Sequence, residues 1–93
     1  MDIRDLRYFI AAYETKGFTR ASVYLGTVQS NVSSRIIGLE RTLGVKLFER
    51  RWRTLLPTES GEKLYADAKQ VIAALDRARR GAAVSALPYQ SPR

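Results

Sequence analysis

The sequence predicts a mainly α-helical fold with one small β-hairpin and a long C-terminal helix. Three observations carry that prediction. Apolar residues recur at helical spacing in separate stretches. The break between the second and third stretches, Gly26-Thr27 with or without Val28, is too short for anything but a tight turn. Between the third and fourth stretches lies VKLFERRWRTLLPT, whose apolar ends flank a charged middle.

The first helix is predicted over 3–15, where Leu6, Phe9, Ile10 and Tyr13 follow i, i+3, i+4, i+7. Asp2 or Asp5 suits its first turn, where the helix dipole favours an acid, and Gly17 is expected to close it with Lys16 in the last turn. Thr19 is the expected N-cap of a short second helix over 20–25, with Ala21 and Leu25 on one face and Gly26 at its end. Thr27 is the expected N-cap of a third helix reaching Leu43, its core side made of Val32, Ile36, Leu39 and Leu43. Two helices joined this closely are held at a steep angle, as in a helix-turn-helix.

Gly44 ends the third helix, and a hairpin follows. Its strands are expected around Val45–Phe48 and Leu55–Leu56, with Glu49–Thr54 as a basic tip and Pro57 as a stop. The turn type is not legible. Thr58 caps a fourth helix over 59–80, with Glu59 and Glu62 in its first turn. Its apolar residues Leu64, Ala68, Val71, Leu75 and Ala78 step by 4, 3, 4, 3, a heptad seam, and Tyr65 and Ile72 add a second stripe. One stripe is expected on the domain and the other on a partner chain. The Ala-, Ser- and Pro-containing remainder, 81–93, reads as a flexible linker or tail.

With 93 residues, 45% of them hydrophobic, the chain suits one small domain. It has no Cys and no His, which removes disulfides, thiolate metal sites and the commonest general base. The acids are scattered, with no glycine-rich phosphate loop and no nucleophile beside a base, so neither an enzyme nor a metal or cofactor is expected. The apolar runs are far too short to span a membrane and MDIRDLRYF is no signal peptide, so the cytoplasm is the expected location. The net charge of +7, from 12 Arg and 4 Lys against nine acids, favours a polyanion. Arginine's planar fork suits phosphates and base edges.

The third helix shows how that polyanion is met. With its apolar residues turned inward, Ser30, Ser34, Gly38 and Arg41 point outward, flanked by Asn31 and Ser33. Short polar groups with almost no charge let a helix lie deep in a DNA major groove, where Gln, Asn and Ser hydrogen-bond base edges. The bland alternative is a Ser-rich surface helix. Lys46, Arg50, Arg51 and Arg53 on the hairpin fit a wing on phosphates or the minor groove, against the alternative of edge-protecting charge. Trp52 has two fates, stacking on the nucleic acid or folding back over the fourth helix, and packing is the expected one. Glu40, beside the core stripe, is expected in an ion pair or a cap.

The runs LRYFIAAYETKGFTRAS, LGTVQSNVSSRIIGLERTLGVKLFER and LPTESGEKL closely resemble the N-terminal domain of LysR-type transcriptional regulators, over about 6–75. The resemblance implies a winged helix-turn-helix, 1–57, with a linker and dimerisation helix over 58–80, that binds inverted-repeat double-stranded DNA as a homodimer. It implies base reading by Gln29, Ser30, Ser33 and Ser34. Phosphate or minor-groove contacts then fall to Thr27, Asn31, Arg35, Arg50, Arg51 and Arg53, and the dimer interface to Leu64, Tyr65, Ala68, Val71, Ile72 and Leu75. This chain departs from the family pattern at Val28 and Ser30, where Ser and Pro are common, at Ser34, often Arg, at Ile37, often charged, and at Trp52, often small or polar. Family members continue into an effector-binding domain that 93 residues cannot hold, so a small-molecule effector would act only through a C-terminal domain absent from this chain, which reads as an excised DNA-binding domain or a natural short form. Two rivals come from other classes. A protein-interaction module would use the heptad seam alone, and a basic helix on anionic membrane is opposed by Glu59, Glu62, Asp67 and Asp76 on the fourth helix.

Overall fold

The computed structural model describes residues 1–85. Its elements run α1 (Ile3–Thr15), α2 (Phe18–Leu25), α3 (Gln29–Leu43), β1 (Phe48–Arg51), β2 (Thr54–Pro57) and α4 (Glu59–Ser85). Both candidate acids start α1. Asp2 is the N-cap and accepts from the Asp5 amide, while the Asp5 carboxylate accepts from the Asp2 amide, a reciprocal capping box. The helix ends at Thr15 as expected, but Lys16 (φ 62°), not Gly17, takes the left-handed cap. Gly17 is extended and is the N-cap of α2, which therefore opens at Phe18 rather than after Thr19. Phe18 sits in the core beside Phe48, and burying that ring draws the helix start forward.

The core is shared by all elements. Leu6, Phe9, Ala11 and Ala12 of α1 meet Phe18 and Ala21 of α2, Val32, Ile36 and Leu39 of α3, Leu47 and Phe48, Leu55 of β2, and Ala68 of α4. Leu43, expected inside, is 39% exposed because α3 runs past the last residues that cover it. The N-cap of α3 is Val28 rather than Thr27, and it offers no side-chain hydrogen bond. The tight link survives through backbone: Gly26 (φ 72°) takes the left-handed cap and the Thr27 amide donates to Ser22 O.

β1 and β2 pair antiparallel with Arg51 opposite Thr54, so the strands reach into the segment expected to be the tip and leave only Trp52-Arg53 as the turn. Two features lock this wing to the helices. The Lys16 carbonyl accepts from the Leu55 amide at 3.1 Å. One oxygen of Glu40 accepts from the amides of Leu47 at 2.7 Å and Phe48 at 3.3 Å, the capping role expected of this acid, with the Lys46 ammonium 3.9 Å from its other oxygen.

Thr58 caps α4 as expected, accepting from the Gly61 amide at 3.1 Å, and donates to Lys46 O. The helix does not stop at Gly81 but continues through it to Ser85. One Gly costs only about 1 kcal/mol relative to Ala, and the Ala and Arg residues around it favour helix. The expected tail thus begins in helix, and 86–93 lie outside the described residues. The apolar stripes of α4 also divide differently from the seam. Ala68 is 1% exposed in this chain's own core, and Leu64, Tyr65 and Ile72 pack against it, while Val71 is 42% exposed. Tyr65 stacks on Tyr13 of α1 at 3.8 Å between ring centroids. Each tyrosine donates to an acid across the junction, Tyr65 to Glu14 and Tyr13 to Glu62.

Candidate nucleic-acid interface

α3 turns its apolar side into the core and leaves a short, polar outer surface. Gln29, Ser30, Asn31 and Ser34 are exposed and Ser33 is half-buried, its hydroxyl donating to Ser30 O at 3.3 Å. A Cβ on Gly38 would meet nothing, so this part of the helix surface is bare backbone. Asn31, Ser34 and Gly38 share a shallow hollow with Thr42.

Two residues expected on phosphates are engaged inside the chain. Asn31 Nδ2 donates to the Thr27 hydroxyl at 2.9 Å and lies 3.4 Å from the Tyr8 hydroxyl. Arg35 turns back onto α1: Nη1 is 2.8 Å from Asp5 Oδ1 and its guanidinium lies 5.0 Å from the centre of the Tyr8 ring. Burial pushes the Asp5 carboxyl up, but its hydrogen bond with the Asp2 backbone and the Arg35 guanidinium more than offset that and hold it below its ordinary value. Arg35 thus serves to fix α3 on α1, a partner that i, i+4 spacing within one helix cannot reveal.

The wing presents its cations differently from one another. Arg50 lies over the buried Phe18 ring at 4.8 Å, Arg51 is 3.4 Å from Glu49, and Arg53 lies 5.4 Å from the Trp52 ring. Trp52 does not fold back over α4: it is 92% exposed, because a two-residue turn carries it away from every helix. Gln29 at the start of α3, Arg20 of α2, and Arg50, Trp52 and Arg53 of the wing line one open cleft, with no acid among its lining residues. Arg20 is not among the residues the sequence points to, since it joins this cleft only through the hairpin that folds back beside α2. Among the described residues no group of acids has metal-ligand geometry, and no helix is long and apolar enough to cross a membrane.

A polar helix held at a tight turn, with a basic hairpin locked beside its N-terminus, defines a winged helix-turn-helix with the two surfaces side by side. The chain belongs to the lysR family of bacterial regulatory helix-turn-helix proteins, whose pattern matches residues 3–62. It is 45% identical over 78 residues to the HTH-type transcriptional regulator BudR of Raoultella terrigena, covering 84% of this chain and 27% of the relative. It is also 45% identical over 78 residues to the glycine cleavage system transcriptional activator of Escherichia coli K12, covering 84% of this chain and 26% of that protein. The chain thus spans about a quarter of the length of these relatives. Among solved structures, the BenM DNA-binding domain in complex with benA site 1 DNA superposes with a TM-score of 0.91 at 32% identity, over 96% of this chain and all of that one. The CbnR DNA-binding domain bound to DNA gives 0.88 at 30% identity, over 92% and 99% of the two chains.

Proposed function

We propose that this chain is the sequence-specific double-stranded DNA-binding part of a LysR-type regulator, with α3 in the major groove and the basic wing on the minor groove or backbone. The observation that carries this is one acid-free cleft in which Gln29 meets Arg20, Arg50 and Arg53. A duplex groove presents both the base edges that Gln reads and the phosphates that Arg neutralises. That the BenM and CbnR domains it resembles are in complex with DNA supports duplex DNA as the ligand.

Gln29, Ser30, Ser33 and Ser34 are the proposed base readers. Arg50, Arg51 and Arg53 are the proposed backbone or minor-groove contacts, with Thr27 and Asn31 forming a linked pair at the start of α3. Arg35 supports the surface from behind. The chain acts as a homodimer through α4, on inverted-repeat DNA. Val71 and Leu75 are the central partner contacts, because Ala68 is consumed within the chain, and the half-open Leu64, Tyr65 and Ile72 flank them. Regulation by a small molecule belongs to sequence outside this chain.

Selection of bound sites from a random duplex library tests the reading. A two-fold symmetric motif is the expected result, and retardation of DNA with no motif would refute sequence reading. Gln29→Ala and Ser34→Ala should each weaken the selected site by about 1–3 kcal/mol and relax one base position. Arg51→Ala should weaken all sequences alike and lower the log–log salt slope by about one.

A further inference from the structure

The tip of the wing carries a feature that the fold does not need. Trp52 is the chain's one tryptophan, is 92% exposed, and holds φ at 58°. The turn has two residues, Trp52 and Arg53, with the positive φ at its first central position, where hairpin turns of this kind take Gly. A bulky aromatic there is strained, and strain at an observed outlier points to function. The indole contributes no burial to the core in return. The Arg53 guanidinium lies over it at 5.4 Å, and it faces the same cleft as Gln29, so ring, cation and candidate base reader meet one ligand together.

We infer that Trp52 is a DNA contact, its indole lying edge-on in the minor groove against the deoxyribose walls beside the site read by α3; this rests on the function proposed above. A minor groove about 6 Å wide accepts a flat ring edge-on, and its sugar faces are the apolar surface nearest to the phosphates that the neighbouring arginines seek. The contact is apolar, so it adds affinity without releasing counterions. It therefore differs from an arginine contact in its salt signature. An anionic membrane would also attract an Arg-flanked Trp. However, the other large apolar residues lining the cleft, Phe18 and Leu55, are buried in the core, and the cleft places Gln29, a hydrogen-bonding group, on the same ligand.

The chain reports on the contact itself, because selectively excited emission comes from Trp52 alone. Binding of a labelled duplex carrying the selected site is followed by anisotropy, and Trp52 emission and acrylamide quenching are recorded in the same titration. The expected result is a change in emission and loss of quencher access that track the anisotropy. Trp52→Gly should bind about tenfold more weakly with an unchanged salt slope, while Arg53→Ala should lower the slope by about one. Since Gly suits the turn better than Trp, the glycine variant should melt no lower than the parent, so its lost affinity cannot be lost folding. Unaltered Trp52 emission and quenching in a complex that anisotropy shows to have formed overturns the inference and leaves the function standing. So does full affinity of Trp52→Gly. A parent chain that binds no duplex overturns the function, and the inference with it. A Trp52 response to phosphatidylglycerol vesicles, with none in a formed DNA complex, assigns the tip to membrane and overturns the inference alone.

Discussion

Replacing Glu40 with Ala should loosen the wing from the recognition helix and cost a substantial share of the domain's stability. One carboxylate oxygen accepts two backbone amides, from Leu47 at 2.7 Å and Phe48 at 3.3 Å, and both of those residues are buried. A hydrogen bond to a charged group contributes about 1.5–3 kcal/mol, and a buried amide left without a partner costs about 1–3 kcal/mol. The longer bond counts for less, and the exposed Lys46 at 3.9 Å adds little. Glu40→Ala is therefore expected to lose about 2–4 kcal/mol, against the roughly 5–15 kcal/mol that hold a small domain together. The melting temperature should fall by on the order of 10–25 °C. Glu40→Gln keeps a carbonyl oxygen in the same place and should lose about half as much, since only the charge assistance goes. Urea unfolding followed by circular dichroism measures both. A loss below about 0.5 kcal/mol for Glu40→Ala would refute the reasoning. Equal losses for Gln and Ala would also refute it, because charge rather than acceptor geometry would then be what matters.

Gly61 should tolerate no side chain, because a Cβ there would run into the Leu47 carbonyl, a backbone group that also accepts from the Thr58 amide at 3.0 Å. Gly61→Ala is expected to destabilise by about 1–3 kcal/mol, whereas Gly81→Ala, with open space around it inside α4, should stabilise by about 0.5–1 kcal/mol; denaturant midpoints of the two variants should move in opposite directions. The α1–α4 junction should titrate at both extremes of pH. The Tyr65 hydroxyl, and after it Lys69, hold Glu14 below its ordinary 4.5, so this support is complete above pH 4.5 and is lost as pH falls through the lower folded value. The same hydrogen bond raises Tyr65 above its ordinary 10.0, so its support is complete below pH 10 and is lost as pH rises through the higher folded value. Glu14→Gln should bring Tyr65 ionisation down towards 10.0 in a tyrosinate absorbance titration, while Tyr13, raised chiefly by Glu62, keeps its shift. An unchanged Tyr65 titration would show that the Glu14 contact does not persist in solution.

Much of this was legible because it is local. Apolar spacing placed α1 and α3, an acid at the start of α1 was expected at Asp2 or Asp5, and the Thr58 cap follows from a side chain that reaches its own helix. The polar outer surface of α3 and the cationic wing follow from composition and periodicity, which tertiary contacts do not alter. What sequence missed were choices made between elements. Lys16 rather than Gly17 turned left-handed because Phe18 had to reach the core, and the basic stretch of the hairpin became strand because Lys16 O and Glu40 anchor its two ends. Trp52 was expected to pack, which is what a Trp does when a surface is within reach; the two-residue turn took every surface away.

The sequence by itself determined the helical fold with its hairpin, the family, and a polar helix face beside a basic segment, since each depends on residue type and spacing along one stretch of chain. Only the tertiary structure decided which of those residues are free. Arg35 was lost to Asp5 and Tyr8, Ala68 to the core, and Trp52 was left in solvent facing the cleft of Gln29. Whether a charge or an apolar side chain is spent inside the molecule or left for a partner depends on what lies across from it, and that neighbour comes from a distant part of the chain.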